Sequence, residues 1–170
     1  VYKRQGAIGS EVAKYAKTLG FRVIGVKRRA VPLEHYDRVY SNQDLDLALG
    51  QMDFVVILTP LTQETRGLFD AGRLAACKPG AYLINIARGP VVETAARSGH
   101  LGGCALDAID EADLPADSPL WDMPNVFLTP QYSATSPLYV DRAVEQFLEN
   151  LDNFRAGRPL FNVIDVASLR

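Results

Sequence analysis

Two short stretches near the start of the chain hold residue types suited to anion chemistry. Gly6-Ala7-Ile8-Gly9 stands directly before a helical pattern, and Lys27-Arg28-Arg29 ends an apolar run. Glycines in such a turn let the backbone approach a pyrophosphate and let the next helix pack closely on a strand. The helix start then offers free N–H groups and the positive end of its dipole to the phosphates. A complete fingerprint has a third glycine two residues before Gly6, where Arg4 stands. Residues 1–5, VYKRQ, are also too polar for a central strand, so a plain helix-start turn reads equally well from these residues alone. The basic run bears on which dinucleotide would bind. An acid commonly ends this strand and holds the ribose 2′-hydroxyl, whereas guanidinium groups can grip a 2′-phosphate bidentately. Lys27, Arg28 and Arg29 therefore favour NADP over NAD, with a solvated basic loop as the alternative.

The elements that must position these residues alternate along the chain. Phe21–Val26, Phe54–Leu58, Ala81–Ile86, Gly103–Leu106 and Val126–Leu128 read as short, buried parallel strands. Ser10–Leu19 places Val12, Ala16 and Leu19 on one helical face and stops at Gly20. Asn42–Leu49 and Asp70–Cys77 are shorter helices, the second closed by Lys78-Pro79-Gly80. The longest helix is expected over Pro137–Ala156, with Ser136 as N-cap and Gly157 as its stop. Its stripe of Val140, Ala143, Val144, Phe147, Leu148, Leu151 and Phe154 suits core or inter-domain packing, and Leu160–Val166 could add a short strand. This order predicts an α/β fold, a doubly wound parallel sheet of Rossmann type with helices on both faces.

A chain of 170 residues suits one domain with a sizeable core. The net charge of −2 gives no broad basic field, so neither nucleic acid nor an anionic membrane is an expected partner. Phe54–Leu58, the longest strongly apolar run, is far too short to span a bilayer, and no secretory leader is read at the start. Cys77 and Cys104 lie in apolar surroundings without metal-like spacing, which points to reduced core thiols, no metal site and a cytoplasmic location.

From residue 53 onward the motifs become specific. DFVVILTPLTQETRGLF (53–69), KPGAYLINIARGPVV (78–92), ALD (105–107) and PADSPLWDMPNVFLTP (115–130) follow one another in an order that resembles the D-isomer-specific 2-hydroxyacid dehydrogenases, in particular their glyoxylate/hydroxypyruvate reductase-like members. With the glycine turn and the final helix, the resemblance covers nearly everything after residue 5. It implies a dinucleotide-binding domain over 6–135 and a return helix and tail over 136–170, directed toward a substrate domain. Residues 1–5 are then a scar or a remnant of a first strand that is missing or replaced. By resemblance, Arg88 is the arginine that clamps the substrate carboxylate and polarises the developing oxo group. The implied cofactor contacts are Gly6, Ala7, Ile8, Gly9, Lys27, Arg28, Arg29, Thr59, Pro60, Thr65, Ile86, Ala87, Arg88, Asp107, Gln131 and Ser133, with Asp107 beside the nicotinamide. A buried strand-end aspartate that caps a nearby turn is the other reading of Asp107.

The chain departs from the family at three places. Where the family carries a glutamate that orients the catalytic histidine, the residue is Ala112, and where it carries the histidine itself, the residue is Gln131. Glutamine forms hydrogen bonds but exchanges no proton near neutral pH. His35 and His100 are poor substitutes, the first in a polar loop and the second in a turn that resembles an ordinary surface feature. Residues 93–97 are also short for the helix expected there. The resemblance implies an NAD(P)-dependent oxidoreductase acting on small 2-hydroxy and 2-oxo acids, assembled as a homodimer, with little activity expected of this chain alone. The alternative is a non-catalytic dinucleotide-binding module that has lost its proton relay.

Overall fold

The computed structural model describes residues 4–59, 65, 68–86, 99–107 and 114–163, with backbone only at 4–7. Helix α1 spans Arg4–Thr18 and is followed by β1, Ile24–Lys27, and β2, Arg38–Ser41. A 3-10 turn at Asn42–Asp44 leads into α2, Leu45–Leu49, then β3, Phe54–Ile57, and α3, Ala71–Ala75. Strands β4, Tyr82–Asn85, and β5, Gly103–Leu106, precede a 3-10 turn at Pro119–Asp122 and β6, Val126–Leu128. Helix α4, Tyr139–Arg155, comes last.

All strand pairings among the described residues are parallel, as the alternation of apolar runs and helices requires. The strands form two sheets, β1-β2 and β3-β4-β5-β6, and no strand among the described residues joins β1 to β3. Helix α2 ties the two together. It touches β1 and β2, and its Leu45 and Leu49 belong to the same core as Val55, Ile57, Leu83, Cys104 and Leu106. Both cysteines are free and buried in that core, in line with the expectation of reduced thiols.

The four-stranded sheet buries one face and opens the other. Val55, Ile57, Leu83, Cys104 and Leu106 point inward, while Phe54, Tyr82 and Phe127 on the opposite face are 50%, 49% and 67% exposed. The parallel sheet with flanking helices is the Rossmann-like α/β fold expected, whereas the expectation of fully buried strands is corrected for the described residues, in which period-2 alternation decides burial. The open face carries an aromatic row. Phe21 meets Phe54 edge-on at 5.9 Å, and Phe54 stacks on Tyr82 at 5.6 Å. Phe21 therefore packs from outside the strand; β1 begins only at Ile24. Strand β2 escaped the sequence reading because its residues Arg38-Val39-Tyr40-Ser41 bury one side chain, Tyr40, at a sheet edge.

The helices follow their local signals with two corrections. Asp70 caps α3 by accepting from the Arg73 N–H at 2.9 Å, and Gly157 ends α4 with φ +64°. The expected turn at Gly6–Gly9 is absent, because those residues lie inside α1. No described strand precedes them to draw the backbone out of the helix, and local hydrogen bonding extends it instead. The second concerns α4: of the two packings its apolar stripe suits, the core is not the one, since none of its residues is buried and Phe147 and Phe154 are 65% and 71% exposed. Ser136 caps the turn before α4, accepting from the Leu138 N–H at 3.2 Å, and the helix itself begins at Tyr139. Residues 160–163 form no strand; the rest of the tail lies outside the described residues. No helix among the described residues is long and apolar enough to cross a membrane.

Candidate active site at the strand ends

Parallel strands bring their carboxyl ends to one edge, where doubly wound folds take ligands. Ile57, Asn85, Leu106 and Leu128 are the last residues of β3 to β6, and Thr59, Ile86, Asp107 and Thr129 follow them. A cavity of about 320 Å³ opens there on the uncovered face. The register places Ile84, Ala105 and Phe127 side by side as its apolar floor, with Asp107, Thr129, Tyr132 and Ser133 at its polar end.

Asp107 is the best-anchored side chain of the site. It is 6% exposed, yet both carboxylate oxygens are satisfied. Oδ1 accepts from the Thr129 hydroxyl at 2.5 Å, the Tyr132 N–H at 2.8 Å and the Ser133 N–H at 3.2 Å. Oδ2 accepts from the Ser133 N–H at 3.1 Å and from the Ser133 hydroxyl. The Ser133 and Thr129 hydroxyls, aided by the two N–H groups, hold the Asp107 carboxyl down at about 2 despite its burial. Between those donors Gln131 adopts φ +54°, a left-handed backbone rare for a side chain of this kind, and its N–H donates to the Thr129 carbonyl at 2.9 Å.

The remaining sequence-predicted residues divide by element. Gly9 packs α1 closely. A Cβ there would lie 3.2 Å from the Tyr36 hydroxyl and 3.7 Å from Leu58 Cδ1, and that hydroxyl donates to the Gly9 carbonyl at 2.8 Å. Gly6, Ala7 and Ile8 are helical. Lys27 ends β1, and Arg28 and Arg29 are exposed in the bend after it. Thr59 is exposed beyond β3, Thr65 is half-buried, and Ile86 lines the cavity. Gln131 and Ser133 are exposed on the turn after β6. Pro60, Ala87, Arg88, Ala112 and the short 93–97 segment lie outside the described residues. His100 is more than a surface feature: half-buried, it joins its Nε2 to the Cys77 carbonyl at 2.7 Å and accepts the Gly80 N–H on its own carbonyl at 2.8 Å. His35 sits beside Glu34 at 3.6 Å. Thr129 and Tyr132 are site residues the sequence reading did not single out. The available signal was a buried aspartate, whose acceptors have to find donors somewhere.

Residues 5–133 match the family described as D-isomer specific 2-hydroxyacid dehydrogenase, NAD binding domain. The chain belongs to that family. Among solved structures, a D-isomer specific 2-hydroxyacid dehydrogenase from Xanthobacter autotrophicus in complex with NADPH and MES is 38% identical with a TM-score of 0.82, over 92% of this chain and 66% of that one. An NADPH-dependent glyoxylate/hydroxypyruvate reductase from Sinorhizobium meliloti, in complex with NADP and sulfate, is 33% identical with a TM-score of 0.85, over 95% and 54%. A glyoxylate reductase from Thermococcus onnurineus is 34% identical over 89% of this chain and 47% of its own length. The chain spans about half the length of such curated relatives. The strand-end cavity is thus a feature of a 2-hydroxyacid dehydrogenase NAD-binding domain.

Proposed function

We propose that this chain is the nucleotide-binding part of an oxidoreductase that interconverts 2-hydroxy acids and 2-oxo acids by hydride transfer, with NADP preferred over NAD. The observation that carries the reading is the cavity at the ends of β4, β5 and β6 in a chain that matches the family over residues 5–133. Its floor of Ile84, Ala105 and Phe127 suits a flat ring, and the hydroxyls of Thr129 and Ser133 stand at its polar end. Those residues fit the nicotinamide. Residues 6–9 fit the pyrophosphate less directly, since α1 must unwind there before a glycine turn can form. When bound, the nicotinamide supplies or accepts the hydride exchanged with carbon 2 of the acid.

The roles of the chain's own residues follow from their chemistry. Arg88 holds the substrate carboxylate, and Arg28 and Arg29 grip a 2′-phosphate at the end of β1. Thr59, Pro60, Thr65, Ile86, Ala87 and Asp107 surround the nicotinamide half. Residues 6–135 form the binding domain, and 136–170 return toward a substrate domain; the exposed stripe of α4 supports this, since such a face calls for a partner. The intact protein is a homodimer, and its two reduced, buried thiols suit the cytoplasm.

A second reading has its own support. Gln131 stands exposed at the turn and Ala112 replaces the expected carboxylate, so the chain has no proton donor in register. A dinucleotide-binding module without catalysis follows from that.

Titration of the chain with NADPH and NADH, in wild type and in the Arg28→Ala/Arg29→Ala double variant, tests the cofactor. Binding of NADPH at least tenfold tighter than NADH, lost in the variant, is expected; equal binding removes the NADP preference. Oxidation of NADPH with glyoxylate, hydroxypyruvate or pyruvate tests the chemistry. In the full-length protein with its substrate domain, little turnover is expected before the Gln131→His/Ala112→Glu change. Because general acid–base groups contribute ~10²–10⁴-fold, a gain of that order supports a dehydrogenase lacking its relay, and no gain supports the binding module.

A further inference from the structure

We propose that Tyr132 is a catalytic residue: its phenol supplies the proton when the intact protein reduces a 2-oxo acid in the strand-end cavity. This rests on the reading of that cavity as the nicotinamide site. Reduction needs a proton as well as a hydride, and the two positions that would handle the proton hold Ala112 and Gln131. An amide exchanges no proton near neutral pH, so the donor has to come from another group on the cavity. The apolar lining residues have none to give, which leaves Asp107, Thr129, Tyr132 and Ser133. Asp107 is an ionised carboxylate, its carboxyl held down at about 2, and can only accept. The Thr129 and Ser133 hydroxyls both donate to it, so their protons are engaged. The Tyr132 hydroxyl donates to no group among the described residues.

The backbone of this residue is fixed while its ring is open to a ligand. The Tyr132 N–H donates to Asp107 Oδ1 at 2.8 Å, and the residue lines the cavity with 64% of its surface exposed. It stands one position beyond Gln131, and a tyrosine carries its donor farther from the backbone than a histidine does. A phenol keeps its proton at neutral pH, yet gives it up to an oxygen that is turning into an alkoxide. In the reduction, carbon 2 of the 2-oxo acid accepts the hydride of NADPH while the carbonyl π pair moves onto oxygen. That oxygen takes the proton of the Tyr132 hydroxyl. The products are the 2-hydroxy acid, NADP+ and a phenolate, which regains its proton from water.

The test uses the full-length protein with its substrate domain, as wild type and Tyr132→Phe, each with and without Gln131→His/Ala112→Glu. Three quantities are read: NADPH oxidation with glyoxylate, NADPH affinity, and the NMR signals of ring-labelled tyrosine, with Tyr132 assigned by its absence from Tyr132→Phe. Slow wild-type turnover should fall about tenfold or more in Tyr132→Phe, the low side of the ~10²–10⁴-fold a proton donor contributes, with NADPH affinity unchanged. After Gln131→His/Ala112→Glu the same Tyr132→Phe change should leave turnover unaltered, because the histidine has taken over the proton. The Tyr132 ring signal should shift when oxamate, an unreactive 2-oxo acid mimic, is added to the NADPH complex. Turnover indifferent to Tyr132→Phe, or a ring signal indifferent to oxamate, overturns the assignment. An equal loss in both backgrounds marks a structural role and overturns it too. A wild type that binds NADPH but reduces nothing overturns the donor and leaves the cofactor site standing, whereas absence of NADPH binding removes the reading of the site itself.

Discussion

Replacing Gly25 by alanine tests how closely β1 packs under the loop that follows it. A Cβ at Gly25 would lie 2.8 Å from both Cδ1 and Cε1 of Tyr36, closer than such contacts allow, so the ring must shift. Overpacking of this kind costs about 1–3 kcal/mol. A ring that shifts also loosens the Tyr36 hydroxyl from the Gly9 carbonyl, worth about 0.5–1.5 kcal/mol. Alanine recovers about 0.5–1 kcal/mol over glycine inside a strand. The net expectation is a loss of roughly 1–3 kcal/mol, or a fall in Tm of roughly 3–10 °C for a chain of this size. In a Tyr36→Ala background the obstructing ring is gone, and Gly25→Ala should become neutral or stabilising. Urea unfolding of the wild type, both single variants and the double variant closes the cycle. Equal costs for Gly25→Ala with and without Tyr36 would refute the packing argument.

Other consequences follow from the same contacts. The Asp107 carboxyl is depressed to about 2 by its hydrogen bonds, so its contribution is fully present above the ordinary carboxylate value of 3.8 and is lost as pH falls from there through about 2. The stability gap between wild type and Asp107→Asn, measured by denaturant midpoints, should stay constant above about pH 5 and narrow below 3.8. Burial pushes the Cys104 thiol up to about 11, so a thiol reagent at pH 7.5 should label it only as fast as the protein opens, and prompt labelling of the folded chain would contradict its place in the core. Gly6→Ala should stabilise α1 by up to about 1 kcal/mol and weaken NADPH binding if the helix must unwind to admit the phosphates. Thermal denaturation and a NADPH titration separate the two effects.

The parts of the fold legible in the sequence were those fixed by local pattern. Gly103–Leu106 and Val126–Leu128 form the strands their apolar runs predict, and Asp70 and Gly157 start and stop helices through side-chain capping and a left-handed backbone. The misreadings arose where the outcome depends on what lies beside a segment. Phe21 looked like the start of a strand, but it is its ring, set against Phe54, that packs. The glycines at 6 and 9 suit a turn only where a strand delivers the chain to it, and here they continue a helix. The stripe on α4 suited core or inter-domain packing alike, and among the described residues no core takes it up. In the site, Asp107 was identified through its motif, and its role as a turn cap stood as the other reading of the residue. The donors Thr129 and Ser133 lie 22 and 26 residues away, and only the parallel register of β5 with β6 brings them to it.

The central claim is that the cavity at the carboxyl ends of β4, β5 and β6 receives the nicotinamide end of the cofactor. Titration of NADPH into isotopically labelled chain, with the amides of Ile86, Ala105, Asp107 and Thr129 followed by NMR, tests it most directly. Saturable shifts at these four positions, larger than those across the core at Leu49 and Leu74, are the predicted result. Saturable binding that leaves all four unmoved, or no binding at millimolar NADPH, would contradict it.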